Sequence, residues 1–173
     1  MTDSRQLLRN AAIFLAGIGV LTASSYVAVP MVPVPVTMQT LAVLLVGAVA
    51  GPRMGLAMIV SWLALAALGL PVLAGGKSGL FAFTGPTAGF LLSFPLAGYL
   101  AGVAARTVAK DHVSRFASFI GLHGVILAMG WSWLATIIGA QQAFVAGVAP
   151  FLVGAVIKSA LGAAILAAFD RKG

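Results

Sequence analysis

The sequence predicts an all-α integral membrane protein with six transmembrane helices, both termini in the cytoplasm and structured loops on the outer side. The composition, a series of apolar runs and the distribution of basic residues predict this class. The 173 residues are 61% hydrophobic and only 8% charged, with a mean hydropathy of +1.12. Soluble domains carry roughly 25% charged residues, so this chain has too few to cover a water-facing surface. Its length fits a single six-helix membrane domain over residues 1–173.

Six apolar runs are candidates for membrane-spanning helices, each of which needs about 20 mostly apolar residues. The second run is the shortest, and we expect its helix to begin inside the preceding loop. The expected spans cover residues 10–29, 37–50, 54–70, 88–105, 116–138 and 144–169.

The basic residues predict the orientation. Eight of the ten fall at the two termini or in loops 2–3 and 4–5, namely Arg5, Arg9, Arg53, Arg106, Lys110, Arg115, Arg171 and Lys172. The other side has only Lys77, and Lys158 lies inside the sixth span. Because cytoplasmic loops are rich in lysine and arginine, both termini should be cytoplasmic. The net charge of +7 therefore marks span ends and does not indicate nucleic-acid binding.

The segment Gly76-Lys77-Ser78 resembles the end of a phosphate-binding loop. Such a loop needs a first glycine five residues before the second and a helix that starts at the lysine. Pro71 occupies the first glycine position, and the residues after Ser78 are a poor helix start. The segment is also expected outside the cell, with no acidic residue nearby to hold magnesium. We therefore predict no nucleotide, metal or cofactor site.

Two outer loops have unusual compositions. Loop 1–2 with its flanks, residues 27–40, has prolines alternating with valines, which favours a stiff and extended apolar segment. Loop 3–4 with its flanks, residues 69–90, contains six glycines and three phenylalanines, and glycine permits tight turns and close approach to a ligand. The two loops are typical of a lid over a cavity that opens outward; the alternative is a pair of turns shaped for helix packing.

Lys158 lies among apolar residues in the outer half of the sixth span. Its helical neighbours Gly154, Ala155, Ser159 and Gly162 are small, so the lysine should point into the bundle. A charge there costs several kcal/mol unless it is paired, which makes it a candidate functional residue. The chain's three acids, all aspartates, lie near cytoplasmic ends. We therefore expect a ligand carboxylate to be the counter-ion of Lys158, with Lys77 helping to attract the ligand. The alternative is that the Lys158 side chain reaches outward to the membrane surface.

The shortage of acids also limits the function classes. Proton- or sodium-coupled carriers usually place carboxylates in their spans, and hydrolytic enzymes need paired carboxylates or metal ligands, so we do not expect an enzyme. His123 stands alone on the fifth span and is expected to be hydrogen-bonded within the bundle. Trp131 and Trp133 fit either an aromatic belt or a pocket wall. Three polar residues at the outer start of the second span are candidates to line a site: Thr37, Gln39 and Thr40.

Three stretches carry a family resemblance. They read VPVTMQTLAVLLVGAVAGPRMG, LGLPVLAGGKSGLFAFTGPTAGFLLSFPLAGYLAG and PFLVGAVIKSALGAA. The chain resembles BioY, the biotin-specific substrate-binding (S) component of energy-coupling-factor (ECF) transporters, over about residues 10 to 170. The resemblance implies a multi-pass protein of the prokaryotic cytoplasmic membrane that binds biotin from outside, below loops 1–2 and 3–4.

The resemblance also implies site residues. The family's lysine matches Lys158, and its glycine-rich loop matches Gly75, Gly76, Lys77, Ser78 and Gly79. Gln39, Thr37 and Ser78 are candidates for the ureido group of biotin, and Trp133 for a pocket wall. One position departs from the family, which usually has Gly-Asp where this chain has Gly154-Ala155. Losing that aspartate removes a ligand contact and a counter-charge for the lysine.

The resemblance further implies partners: a transmembrane coupling (T) protein and cytoplasmic ATPases. The family's Ala-x-x-x-Ala docking surface on the first span matches Ala12 and Ala16, although this spacing arises often by chance in an alanine-rich chain. An alternative is an autonomous carrier of biotin, or of another small carboxylate vitamin, that works as a homo-oligomer without ATPases.

Overall fold

The computed structural model describes residues 2–170, with side chains described for residues 4–170. Arg171 and Lys172, which contribute to the predicted charge asymmetry, lie outside the described residues. The described part is helical apart from one small hairpin and its loops. Its seven α-helices are α1 Thr2–Tyr26, α2 Gln39–Ala50, α3 Pro52–Ala67, α4 Ala88–Thr107, α5 His112–Ile138, α6 Ala140–Gly147 and α7 Ala149–Asp170. The all-helical prediction is confirmed.

Four of the described helices, α1, α4, α5 and α7, have the length and apolar character needed to cross a membrane. The other two helices in predicted spans are shorter, with 12 residues in α2 and 16 in α3. At a rise of 1.5 Å per residue, α2 is about 18 Å long. It begins two residues later than predicted, while α1 begins earlier than the predicted residue 10.

The prediction for the sixth span was wrong at its start. Residues 144–169 do not form one helix, because the helix is interrupted at Val148, between α6 and α7. Gly139, with φ of 84°, ends α5 and starts the short α6. Pro150 is the second residue of α7, where its missing N–H removes no helical hydrogen bond. The proline therefore marks the start of the long helix that carries Lys158.

The centre of the bundle is built on α2, where eight of the twelve residues are buried. Glycines let its neighbours approach closely. A Cβ atom on Gly55 of α3 would lie 2.7 Å from the Cα of Gly47, and one on Gly102 of α4 would lie 2.7 Å from the Gly47 carbonyl oxygen. Small residues at such crossings allow backbone contact, which drives helix association in membranes.

Loops 1–2 and 3–4 have the expected backbone. Strands β1, Ala28–Val29, and β2, Val36–Thr37, pair antiparallel and enclose the extended loop 1–2. Loop 3–4 contains two 3₁₀ turns, Ala74–Gly76 and Leu80–Phe83. Its glycines at 75, 76 and 79 have φ of 67°, 72° and 77°, a region that side chains with a Cβ avoid.

Candidate binding site

A cavity lies beneath loops 1–2 and 3–4, between α2, α4, α5 and α7. Its upper wall includes Val34 and Pro35 from loop 1–2, and Leu73, Ala74, Lys77 and Ala82 from loop 3–4. Both loops therefore cover the cavity, as the lid interpretation predicts. Loop packing alone, the alternative, would not require both loops to line the same space.

The side walls of the cavity are apolar and aromatic. They are formed by Phe90, Leu91 and Phe94 of α4, Ile126 and Leu127 of α5, and Phe151 of α7. The rings of Phe90 and Phe151 stack with centroids 6.0 Å apart. Such a surface suits an aliphatic chain or a flat apolar group.

The polar groups of the cavity converge around Lys158. This side chain is only 8% exposed, and the distance from its Nζ to the Thr37 carbonyl oxygen is 2.5 Å. Nζ also donates to the Thr40 hydroxyl at 3.2 Å. An ammonium group has three hydrogens, so one N–H remains for another acceptor. Lys158 therefore points inward, and the alternative that it reaches the outer surface is wrong.

Lys158 has no carboxylate partner among residues 4–170. The one ion pair in that part of the chain joins Arg115 of α5 to Asp170 at the end of α7. Asp111 caps the start of α5, with its carboxylate accepting from Val113 N and Ser114 N at 2.9 and 3.0 Å. Its hydrogen bonds, first that from the Ser114 backbone, lower the pKa of Asp111 below its ordinary value of 3.8.

Thr37 and Gln39 belong to a second polar cluster at the same level. The Thr37 hydroxyl donates to Gln39 Oε1 at 3.0 Å, and Gln39 Nε2 donates to the Ser25 hydroxyl at 3.0 Å. Both residues line the cavity, but these bonds occupy part of their hydrogen-bonding capacity. The cluster ties the amino end of α2 to α1.

The other predicted site residues divide into two groups. Lys77 is exposed and lines the cavity mouth, and Ala155 lines the wall one turn before Lys158. Gly75, Gly76, Ser78 and Gly79 shape the turn that brings Ala74 and Lys77 to the wall, but they do not line the cavity themselves.

Trp133 does not line the cavity either. Its indole N–H donates to the Gly85 carbonyl at 2.9 Å, and its Cβ packs against Gly89. It therefore anchors the end of loop 3–4 to α5. Trp131, for which we predicted the same two roles, donates to the Ala140 carbonyl at 3.0 Å and so links α5 to α6.

His123 is hydrogen-bonded within the bundle, as predicted, but it also lines the cavity, which the sequence did not indicate. Its Nδ1 lies 3.0 Å from the Phe119 carbonyl and its Nε2 lies 3.2 Å from the Thr40 hydroxyl. Thr40 lines the cavity as its position in the sequence predicted. The aromatic wall was missed because phenylalanines in an apolar helix carry no sequence signal that separates a cavity from a core.

Known proteins resemble this chain in sequence and in fold. The BioY family model matches residues 1–172. The chain belongs to the BioY family. A probable biotin transporter BioY from Pyrococcus horikoshii is 38% identical over 149 residues, which cover 86% of each chain. The biotin transporter BioY of Rhizobium etli is 37% identical over 162 residues, covering 88% of this chain and 86% of the relative.

A solved structure has the same fold. It is a crystal structure of the S-component for biotin from an ECF-type ABC transporter, with a TM-score of 0.87 over 98% of this chain and 94% of that chain. The sequence identity is 22%. The long apolar helices and the family together identify the chain as a multi-pass membrane protein.

Proposed function

We propose that this BioY chain binds biotin at the outer side of the membrane and mediates its uptake as the S component of an ECF transporter. The observation that carries the proposal is the buried Lys158, which faces a cavity and has no carboxylate partner in residues 4–170. A lysine in this setting is stable when a ligand supplies the anion. Biotin has one carboxylate, and the relatives named above are biotin transporters.

The cavity suits the three parts of biotin. The carboxylate pairs with the free N–H of Lys158, and the aliphatic chain lies against Phe90, Phe94 and Phe151. The ureido group needs both donors and acceptors, for which we propose Thr37, Gln39 and Lys77, and the turn formed by Gly75, Gly76, Ser78 and Gly79 holds Lys77 at the cavity wall. Ala155 leaves room beside the lysine, and Trp133 supports the loop from behind.

We propose six spans, α1 to α5 and α7, with both termini in the cytoplasm. The cavity mouth is at one end of the bundle. At the other end, Arg53, Arg106 and Arg115 lie in the terminal turns of α3, α4 and α5, and Lys110 lies between α4 and α5. The short α2 and α3 continue into the two loop segments, whose buried residues Val34, Val72, Leu73 and Ala82 pack against the bundle. Irregular backbone at membrane depth is tolerated where it lines a cavity in this way. The short α6 lies in outer loop 5–6.

We propose that the coupling protein docks on α1. Ala12 and Ala16 are exposed, as are Gly19 and Ala23 further along the same small-residue stripe. Cytoplasmic ATPases then supply the energy, since the chain has no phosphate-binding loop of its own.

The second candidate is a homo-oligomeric carrier that works alone. Uptake of labelled biotin into vesicles that contain only this chain distinguishes the two.

Calorimetry on the purified protein tests the binding proposal. We expect one biotin per chain, with no chemical conversion of the ligand. Lys110→Met is the control for Lys158→Met, because Lys110 is an exposed lysine between α4 and α5 that does not line the cavity. Only the Lys158 variant should lose most of the affinity. Absence of biotin binding by the unaltered chain would contradict the proposal.

A further inference from the structure

The hydroxyl of Thr40 lies between two nitrogen-bearing side chains at the floor of the cavity. Lys158 Nζ is 3.2 Å from Thr40 Oγ1 on one side, and His123 Nε2 is 3.2 Å from the same oxygen on the other. These three residues come from α7, α2 and α5, and 83 residues separate Thr40 from His123. The floor is thus a small network that joins three helices.

The directions of these hydrogen bonds follow from the partners. The Phe119 carbonyl can only accept, and it lies 3.0 Å from His123 Nδ1. We therefore assign a hydrogen to Nδ1, which then donates to the Phe119 carbonyl, because without it two lone pairs would face each other at that distance. The hydroxyl of Ser159, 3.1 Å from Nδ1, sits beside the same bond. One side of the imidazole is fixed in this way.

Nε2 then accepts from Thr40. If Nε2 also carried a hydrogen, His123 would be a cation, and two cations would share one hydroxyl oxygen. No carboxylate in residues 4–170 is available to offset them, since Asp170 pairs with Arg115 and Asp111 caps α5. The neutral ring, with hydrogen on Nδ1, avoids this cost.

We propose that His123 is a positioning residue for Lys158 and acts through Thr40. As the Nδ1–H tautomer, His123 accepts the Thr40 hydrogen and so directs the hydroxyl lone pairs toward Lys158. Thr40 and the Thr37 carbonyl then take two of the three ammonium hydrogens. The third N–H is left in one orientation, toward the cavity. The identity of the ligand in this inference rests on the proposed function, whereas the assignment of the tautomer does not depend on it.

The tautomer is measured first. The chain contains only two histidines, and the other, His112, is exposed at the start of α5. In protein with ¹⁵N-labelled imidazole and the His112→Gln substitution, the remaining signals should be those of a neutral ring with hydrogen on Nδ1. A ring with hydrogen on Nε2, or on both nitrogens, would overturn the inference.

Binding is measured with two substitutions at His123. Glutamine places its amide oxygen near the position of Nε2 and can still accept from Thr40, whereas asparagine reaches only the position of Nδ1. We expect His123→Asn to weaken biotin binding about tenfold, roughly the effect of losing one hydrogen bond in a charged network. His123→Gln should retain most of the affinity. A histidine that only stabilised the helix through Phe119 would give the opposite order.

Two further comparisons isolate the route through Lys158. Biotinamide, which lacks the carboxylate charge, should bind the His123→Asn variant as well as the unaltered chain. In protein that carries Thr40→Val, adding His123→Asn should cause no further loss of biotin affinity, because the connection is already removed. Equal losses for both ligands, or additive losses, would mean that His123 acts on the fold and not on Lys158.

Ser132→Ala is the control. Ser132 is an exposed residue on the same helix whose hydroxyl bonds only the Ala128 carbonyl, at 2.8 Å, so its removal should leave both affinities unchanged. If the unaltered chain binds no biotin, the proposed function fails, and the imidazole spectrum still decides the tautomer.

Discussion

Arg115 and Lys158 are both buried cations, each 8% exposed, but the chain treats them differently. At the end of the bundle away from the cavity, Arg115 pairs with Asp170 and donates from Nε to the Ala109 carbonyl at 3.2 Å. At the cavity, Lys158 has only a carbonyl and a hydroxyl as partners among residues 4–170. One charge is neutralised within the fold, and the other is hydrogen-bonded without being neutralised.

This difference separates a structural charge from a binding charge. A buried charge without a counter-ion destabilises a protein, because its lost hydration is not replaced. Lys158 carries this cost, whereas Arg115 does not, because Asp170 is its counter-ion. Removing the charge of Lys158 should therefore affect ligand binding, and removing the charge of Arg115 should affect the stability of the bundle.

The largest effect is expected for Lys158→Met. We expect biotin affinity to fall about 100-fold, since loss of one partner of a buried charge pair costs roughly 2–5 kcal/mol. The melting temperature without ligand should stay the same or rise, because a desolvated charge is replaced by an apolar side chain of similar length. Calorimetry and a thermal melt check the two parts. A lower melting temperature with unchanged affinity would assign Lys158 to the fold.

Arg115→Met should have the opposite profile. Because Asp170 is 58% exposed and can be rehydrated, we expect a loss of about 1–2 kcal/mol in the free energy of unfolding. Biotin affinity should change less than about twofold. Exchanging the charges, with Arg115→Asp and Asp170→Arg together, should recover part of the melting temperature. A large loss of affinity in the single variant would mean that the two ends are coupled.

The sequence predicted the binding charge better than its surroundings. Lys158 stood out because nearby residues are apolar and the three aspartates lie near helix ends, so charge arithmetic was enough. The covering loops were predicted because proline and glycine restrict or free the backbone locally. These are properties of single residues and short segments, which a sequence displays directly.

Features that depend on tertiary contact were not predicted. His123 and Thr40 are far apart in sequence, and only the packing of α5 against α2 brings them together. Trp133 was placed in the pocket wall, but it bonds the loop from outside the cavity. The break at Val148 was missed because residues on both sides are equally apolar, so hydropathy continues across it.

Ala155→Asp should make Lys158 more like Arg115. Ala155 lies three residues before Lys158 on α7, a spacing at which side chains are neighbours, and it lines the same cavity. A carboxylate there would supply an internal counter-ion. We expect the preference for biotin over biotinamide to fall about tenfold. Ala155→Asn adds polarity without charge and should keep the preference; an equal fall for both variants would exclude charge as the cause.

The smallest effect concerns Asp111, an exposed anion at the start of α5 whose carboxylate accepts local hydrogen bonds. Its pKa is lowered in the folded protein, chiefly by the Ser114 backbone N–H. The resulting stabilisation is therefore present above the unfolded pKa near 3.8 and is lost as the pH falls through the folded pKa. Thermal melts of Asp111→Asn should show a weaker acid dependence than the unaltered chain. If the melting temperatures of the variant and the unaltered chain fell equally at low pH, this account of the cap would be contradicted.

Affinities of the unaltered chain and of Lys158→Met for biotin and for biotinamide, four values in all, test the central claim most directly. If Lys158 exists to receive a carboxylate, the unaltered chain should prefer biotin about 100-fold, and the variant should bind both ligands equally. A variant that still prefers biotin by the same factor would show that another group recognises the acid.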